Sequence, residues 1–183
     1  MTQPIVEFIQ QRYAAEHGAS APVAYSSFIS RMRSTGRGAA LGYRRASEGP
    51  LFLEAYLDAP VEQVLRPALG LEVPRSAIVE IGSLAGNSCT SLLSLWHRAA
   101  HELSEDAQLG VAVLTRPLRG MLRRLGITLH ELAPADGSKL GEARAQWGRY
   151  YDTDPVVCAG SLQEGRLQLE RFLARRLAAG RVA

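Results

Sequence analysis

Lysine is almost missing from this chain of 183 residues: Lys139 is the only one, so arginine carries nearly all the positive charge. The net charge is only +3. An arginine bias of this kind often follows from GC-rich coding, so it is discounted as a sign of an anionic partner. Cysteine is scarce as well. Cys89 and Cys158 cannot form a disulfide framework, and their apolar neighbours predict two reduced, buried thiols. No apolar run approaches the roughly 18 residues needed to span a bilayer. The first twenty residues, "MTQPIVEFIQQRYAAEHGAS", lack the basic start and apolar stretch of a signal peptide. A cytoplasmic protein is expected. Repeats and low-complexity linkers are absent too, so a single domain over residues 1–183 is expected, large enough to bury a core without staples.

What is present alternates between helical and strand periodicity. Ile5, Val6, Phe8, Ile9 and Tyr13 form one face of a first helix. A mixed segment, "YSSFISRMRSTGRG", ends in a glycine-rich turn, and "AALGYRRA" follows as a strand. "LFLEAYLDA" is ambiguous between helix and extended chain, while "PVEQVL" reads as a helix started by Pro60. "RSAIVEIGSLA" is the clearest strand, followed by a helix carrying Leu92, Leu95, Trp96, Ala99 and Leu103. "LGVAVLT" is a second buried strand, and "RPLRGMLRRLG" a helix closed by Gly126. "TLHELA", the end of "WGRYYDTDPVVCAGSL" and the basic "GRLQLERFLARRLAAG" add two strands and a last helix. This order predicts an α/β (α+β) protein with a mixed sheet, not a doubly wound nucleotide fold.

Four features carry chemistry. In "IVEIGSLAG", residues 78–86, a glutamate interrupts a β-branched strand that runs into small residues and then a helix. The pattern fits neither GxGxxG, nor a phosphate loop with its lysine, nor GxSxG. A tight strand-to-helix turn is expected, whose free N–H groups near Leu84, Ala85 and Asn87 suit a carbonyl or anionic oxygen. Glu80 itself needs a cationic partner such as Arg44 or Arg75, or else a raised pKa of the kind a general base for an ammonium group uses. Arg116, Arg119, Arg123 and Arg124 cluster on one short helix, as an exposed face or as a receptor for phosphopantetheine or an acidic carrier. Trp147, Tyr150 and Tyr151 make a dense aromatic loop that either lines a pocket or caps the sheet. His97 and His101 have helical spacing but no third ligand nearby, so a solvated face is expected and no metal site. No nucleic-acid motif accompanies the charge.

Taken together, "LGYRRA", "LFLEAYLDAPVEQVL", "IVEIGSLA", "VLTRPLRGMLRRLGI" and "WGRYYDTDPVVCAG" resemble, in order and spacing, the thermostable hemolysin family. More distantly, "GYRR…GPLFL…IVEIGSLA" is similar to acyl-homoserine-lactone (autoinducer) synthases, which have the GNAT acyltransferase fold with two splayed central strands. That resemblance implies catalytic roles for Arg44 and Glu80, and Glu54 is expected beside them. It implies an acceptor site to which Glu54 and Asp58 belong, a thioester held near Leu84 to Asn87, and a carrier or CoA surface at Arg116 to Arg124. It implies N-acyl transfer from acyl-CoA or acyl-carrier protein to an amine or amino acid, with no bound cofactor. The synthases' arginine soon after the glutamate has no counterpart here, where Ser83 and Leu84 stand. Two other readings remain open: a membrane-active hemolysin using "LQLERFLARRLAAG" as a membrane-surface helix, and a non-catalytic acyl- or carrier-binding module.

Overall fold

The computed structural model describes residues 2–32 and 38–179. The turn expected at residues 33–37 lies outside the described residues. Helix α1, Gln3–His17, buries Phe8 and Ile9 and ends at Gly18, whose positive φ of 65° suits glycine. Strands β1 (Ser27–Met32) and β2 (Gly38–Arg45) follow. The ambiguous "LFLEAY" is a short 3-10 turn, Phe52–Tyr56, and Pro60 caps helix α2, Val61–Leu69. Strand β3 (Ile78–Gly86), helix α3 (Cys89–Leu103), strand β4 (Leu109–Leu114) and helix α4 (Arg116–Arg124) form the centre. Strands β5 (His130–Pro134) and β6 (Val156–Ser161) and helix α5 (Leu162–Ala179) complete it.

The six strands make one mixed sheet in the order β1-β2-β3-β4-β6-β5. Every pairing is antiparallel except β3 with β4, which α3 connects. One face packs against α3, α4 and α5 through Val79, Ile81, Leu95, Leu103, Leu122 and Leu169. The other packs Ile78, Val111 and Val157 against Leu53, Val61 and Leu65 of the 3-10 turn and α2. On α5, Leu162 and Leu169 are buried and Phe172 packs on the same cluster, while Leu167 is exposed. Among the described residues no helix is long and apolar enough to cross a membrane.

Two expectations need correction. "GSLAG" is not a strand-to-helix turn, because β3 runs through to Gly86 and the helix starts only at Cys89, capped by Ser88. The small residues instead form a bulge, where Ser83 and Leu84 occupy the place of one residue between the Ala40–Ala85 and Gly42–Gly82 pairs. Ser83 has a φ of 47°, a left-handed conformation that costs a non-glycine residue about 1 kcal/mol. The second correction concerns the thiols. Cys158 is buried, which pushes its pKa up to about 12, but Cys89 is exposed at the start of α3.

Candidate active site

The parallel pairing of β3 and β4 is short. Ile78, Val79 and Glu80 pair with Leu109, Gly110 and Val111, and no further pair follows. Beyond that point the bulge carries β3 along β2, while β4 stays with β6 through Leu114. The sheet thus splays open at Glu80. A cavity of about 440 Å³ fills the gap, with Ile81 to Gly86 of β3 on one side and Ala112 to Leu114 of β4 on the other. The strand edges that face this gap do not pair with each other, so their backbone groups are available to a ligand.

Glu80 stands at the apex and is 2% exposed. Its carboxylate accepts the N–H groups of Phe52 at 2.9 Å and Leu53 at 2.8 Å, the first residues of the 3-10 turn. The Tyr25 phenol reaches the same part of the cavity, with its hydroxyl over Gly82, the next residue on the Glu80 face of β3. Burial raises the Glu80 pKa, and these hydrogen bonds and the Arg44 charge offset that only in part. The cationic partners expected for it are engaged elsewhere. Arg75 binds Glu54 and Glu62 at 2.7 and 2.6 Å. Arg44 lies opposite Glu80 in the β2–β3 register, but its guanidinium donates to the Pro50 carbonyl at 3.0 Å.

The remaining expected residues divide sharply. Leu84, Ala85, Trp147, Tyr150 and Arg124 line the cavity. Tyr151 supports it from behind: its hydroxyl meets that of Tyr56 at 2.7 Å, and its ring packs edge-on against Tyr150. Asn87 closes the end of the β2–β3 ladder, accepting from the Gly38 N–H at 2.9 Å, and is not in the lining. Glu54 and Asp58 lie on a separate surface recess with Arg75. Burial works to raise the Glu54 pKa, but Arg75 and the N–H groups of Val61 and Leu51 outweigh it, so the carboxyl is held below its usual range. Asp58 is exposed and pairs with Lys139 at 2.8 Å.

The arginine cluster also separates. Arg119 is buried and holds the Leu114 and Asp154 carbonyls and the carboxylates of Asp154 and Glu131. Arg116 pairs with Asp154 and Arg123 with Glu131. Arg124 alone of the four reaches the cavity rim. His101 is exposed near Glu105, and among the described residues no cluster of metal-ligating side chains occurs.

Sequence reasoning missed several lining residues: Tyr13, His17, Tyr25, Phe52, Tyr56 and Trp96. Burial, with Arg149 nearby, lowers the His17 pKa despite the opposing Glu16 charge, so the imidazole is neutral near pH 7. A signal for Tyr25 was present in Gly42 and Gly82, which face each other across β2 and β3. A Cβ on Gly42 would stand 2.6 Å from Tyr25 Cβ and Cγ, and one on Gly82 would collide with its hydroxyl. Trp96 borders a second, smaller apolar space of about 60 Å³ beneath the sheet. Ile81, Ala112 and Leu114 also border both spaces, and Cys158 and Leu169 line the smaller one.

The thermostable hemolysin family model matches residues 2–166. The chain belongs to that family. No curated protein matches this hemolysin-family sequence. Its fold is shared, at low identity, with solved acyl-homoserine lactone synthases and an N-acyl amino acid synthase. The acyl-homoserine-lactone synthase LasI aligns with a TM-score of 0.60 and 14% identity, covering 92% of this chain and 88% of that one. FeeM, an N-acyl amino acid synthase from uncultured soil microbes, aligns at 0.56 and 14%, covering 91% and 94%. MesI, a CoA-dependent acyl-homoserine lactone synthase, aligns at 0.53 and 16%, covering 93% and 87%. The splayed mixed sheet with flanking helices is thus the GNAT-like architecture of these synthases.

Proposed function

We propose that this hemolysin-family chain is an N-acyltransferase, acting as one domain, that moves an acyl group from acyl-CoA or acyl-carrier protein to an amine or amino acid. The observation that carries the reading is a buried carboxylate at the apex of a strand splay, lining the cavity that the splay opens. The low-identity likeness to CoA-dependent and N-acyl amino acid synthases supports the same class.

In this reading the thioester lies between β3 and β4, with its acyl chain along Ile81, Trp96, Ala112 and Leu114. Glu80 takes a proton from the acceptor's ammonium group, and the freed amine attacks the acyl carbon. The N–C bond forms, the C–S bond breaks, and the second nitrogen proton goes to the departing sulfur. Unpaired strand N–H groups face the oxyanion that forms between these steps. Arg124 at the rim meets the phosphates of the donor or an acidic carrier. Glu54 and Asp58 have no place in this chemistry, since their recess is separate from the cavity.

The test is a product assay. Purified protein incubated with acyl-CoA or acyl-carrier protein and a mixture of amines and amino acids is analysed by mass spectrometry. An amide whose mass equals acyl group plus acceptor supports the reading. Donors and acceptors recovered unchanged in every combination contradict it.

A further inference from the structure

Glu80 does not meet the cavity unaided. Two of its carboxylate contacts go to the backbone of Phe52 and Leu53, on the side of the 3-10 turn. The Tyr25 hydroxyl lies over Gly82, and Tyr25 and Glu80 line the same cavity. Side chains two apart on a strand share a face, so Glu80 and Gly82 lie on the same side of β3. The register places Arg44 opposite Glu80 and Gly42 opposite Gly82. The two glycines thus make a bare patch one step along the strand from the carboxylate.

Tyr25 fills that patch. It belongs to the irregular segment between α1 and β1, and its ring spans from Gly42 to Gly82. Its hydroxyl end lies over Gly82, beside Glu80, and Tyr25 also lines the cavity. Glycine in a strand interior often marks a bulge or a close approach to the backbone, and here the bulge lies beside the pair while a side chain covers it. That side chain is a phenol.

Resting on the acyl-transfer reading above, we propose that Tyr25 is the proton relay between the acceptor nitrogen and Glu80. The acceptor's ammonium gives a proton to the Tyr25 oxygen while the Tyr25 proton passes to the Glu80 carboxylate. Tyr25 ends the step as a neutral phenol, Glu80 as a carboxylic acid, and the amine carries a free lone pair. The Glu80 proton leaves to solvent after the amide has formed.

The experiment compares wild type, Tyr25→Phe and Glu80→Gln in acyl transfer. Tyr25→Phe keeps the ring over the glycines and removes only the hydroxyl, so kcat should fall about 100-fold while the donor KM moves less than threefold. A solvent-deuterium proton inventory on the wild type gives an independent reading, and a curved inventory with two protons in flight is expected. Wild-type kcat in folded Tyr25→Phe, or a linear one-proton inventory, overturns the relay while leaving acyl transfer intact. Failure of the wild type itself to transfer acyl groups overturns both readings, and so separates the two failures.

Discussion

The Glu80 carboxylate accepts the Leu53 N–H at 2.8 Å, joining the central strand to the first turn of a 3-10 helix 27 positions earlier in the chain. The same carboxylate receives the Phe52 N–H at 2.9 Å. Glu80 therefore has a structural duty as well as a place in the cavity, and the choice of variant decides which one is seen. Glu80→Ala leaves two buried N–H groups without an acceptor and should cost about 3 kcal/mol of stability. Glu80→Gln keeps one acceptor oxygen and should cost about 1 kcal/mol. Both should lower kcat by roughly 100-fold or more if Glu80 is the base. Chemical denaturation and steady-state kinetics on the two variants separate the contributions.

Burial raises the Glu80 pKa, and a base must be ionised to work. The rate should therefore rise with pH through an acid limb centred above the ordinary glutamate value of about 4.3. Tyr13, His17, Tyr25, Tyr56 and Tyr150 line the same cavity with Arg12, Glu16 and Arg124, and the Arg44 charge acts on Glu80 from β2. His17 keeps a lowered pKa, so its own titration falls below 6.5 and is separable by His17→Gln. The stability contribution has the opposite sense. Because the folded state holds the Glu80 proton more tightly, that contribution is complete below the unfolded pKa and is lost as pH rises through the folded one.

Arg119 and Arg124 sit five positions apart on α4 and should behave differently. Removing Arg119 empties a buried position and leaves the Leu114 and Asp154 carbonyls without their donor, while Asp154 and Glu131 keep Arg116 and Arg123, so Arg119→Ala should destabilise the protein by about 2 kcal/mol. Arg124 is exposed at the cavity rim, so Arg124→Ala should leave the melting temperature unchanged and raise the donor KM several-fold. Calorimetry and donor-saturation curves check the pair.

Trp96 borders both the main cavity and the smaller space beneath the sheet. Trp96→Ala should join them and shift donor preference to longer acyl chains. Each additional buried methylene is worth about 0.8 kcal/mol, or roughly fourfold in kcat/KM. A series of acyl donors differing by two carbons measures the shift.

Much of this was legible in the sequence, and the gaps have physical reasons. The β-branched run around Glu80 identified the central strand, and the two α/β steps after it identified α3, β4 and α4. Small residues after Glu80 suggested a turn, yet the same residues suit a bulge, and only pairing with β2 distinguishes them. Tyr25 escaped notice because its role arises from two glycines 40 positions apart that meet only in the sheet. Arg119 looked like one member of an exposed arginine face, but it points to the buried side, where Asp154 and Glu131 arrive from distant segments. Glu54 and Asp58 were assigned to the acceptor site through the resemblance to the synthases, and the chain carries them to a separate recess with Arg75.

The most direct measurement of the central claim is free-thiol release from long-chain acyl-CoA and acyl-carrier protein, with and without a panel of amines and amino acids, for wild type beside Glu80→Gln. The account predicts release by wild type that depends on one class of acceptor and is nearly abolished in folded Glu80→Gln. Release unaffected by Glu80→Gln, or no release from any donor with any acceptor, would contradict it.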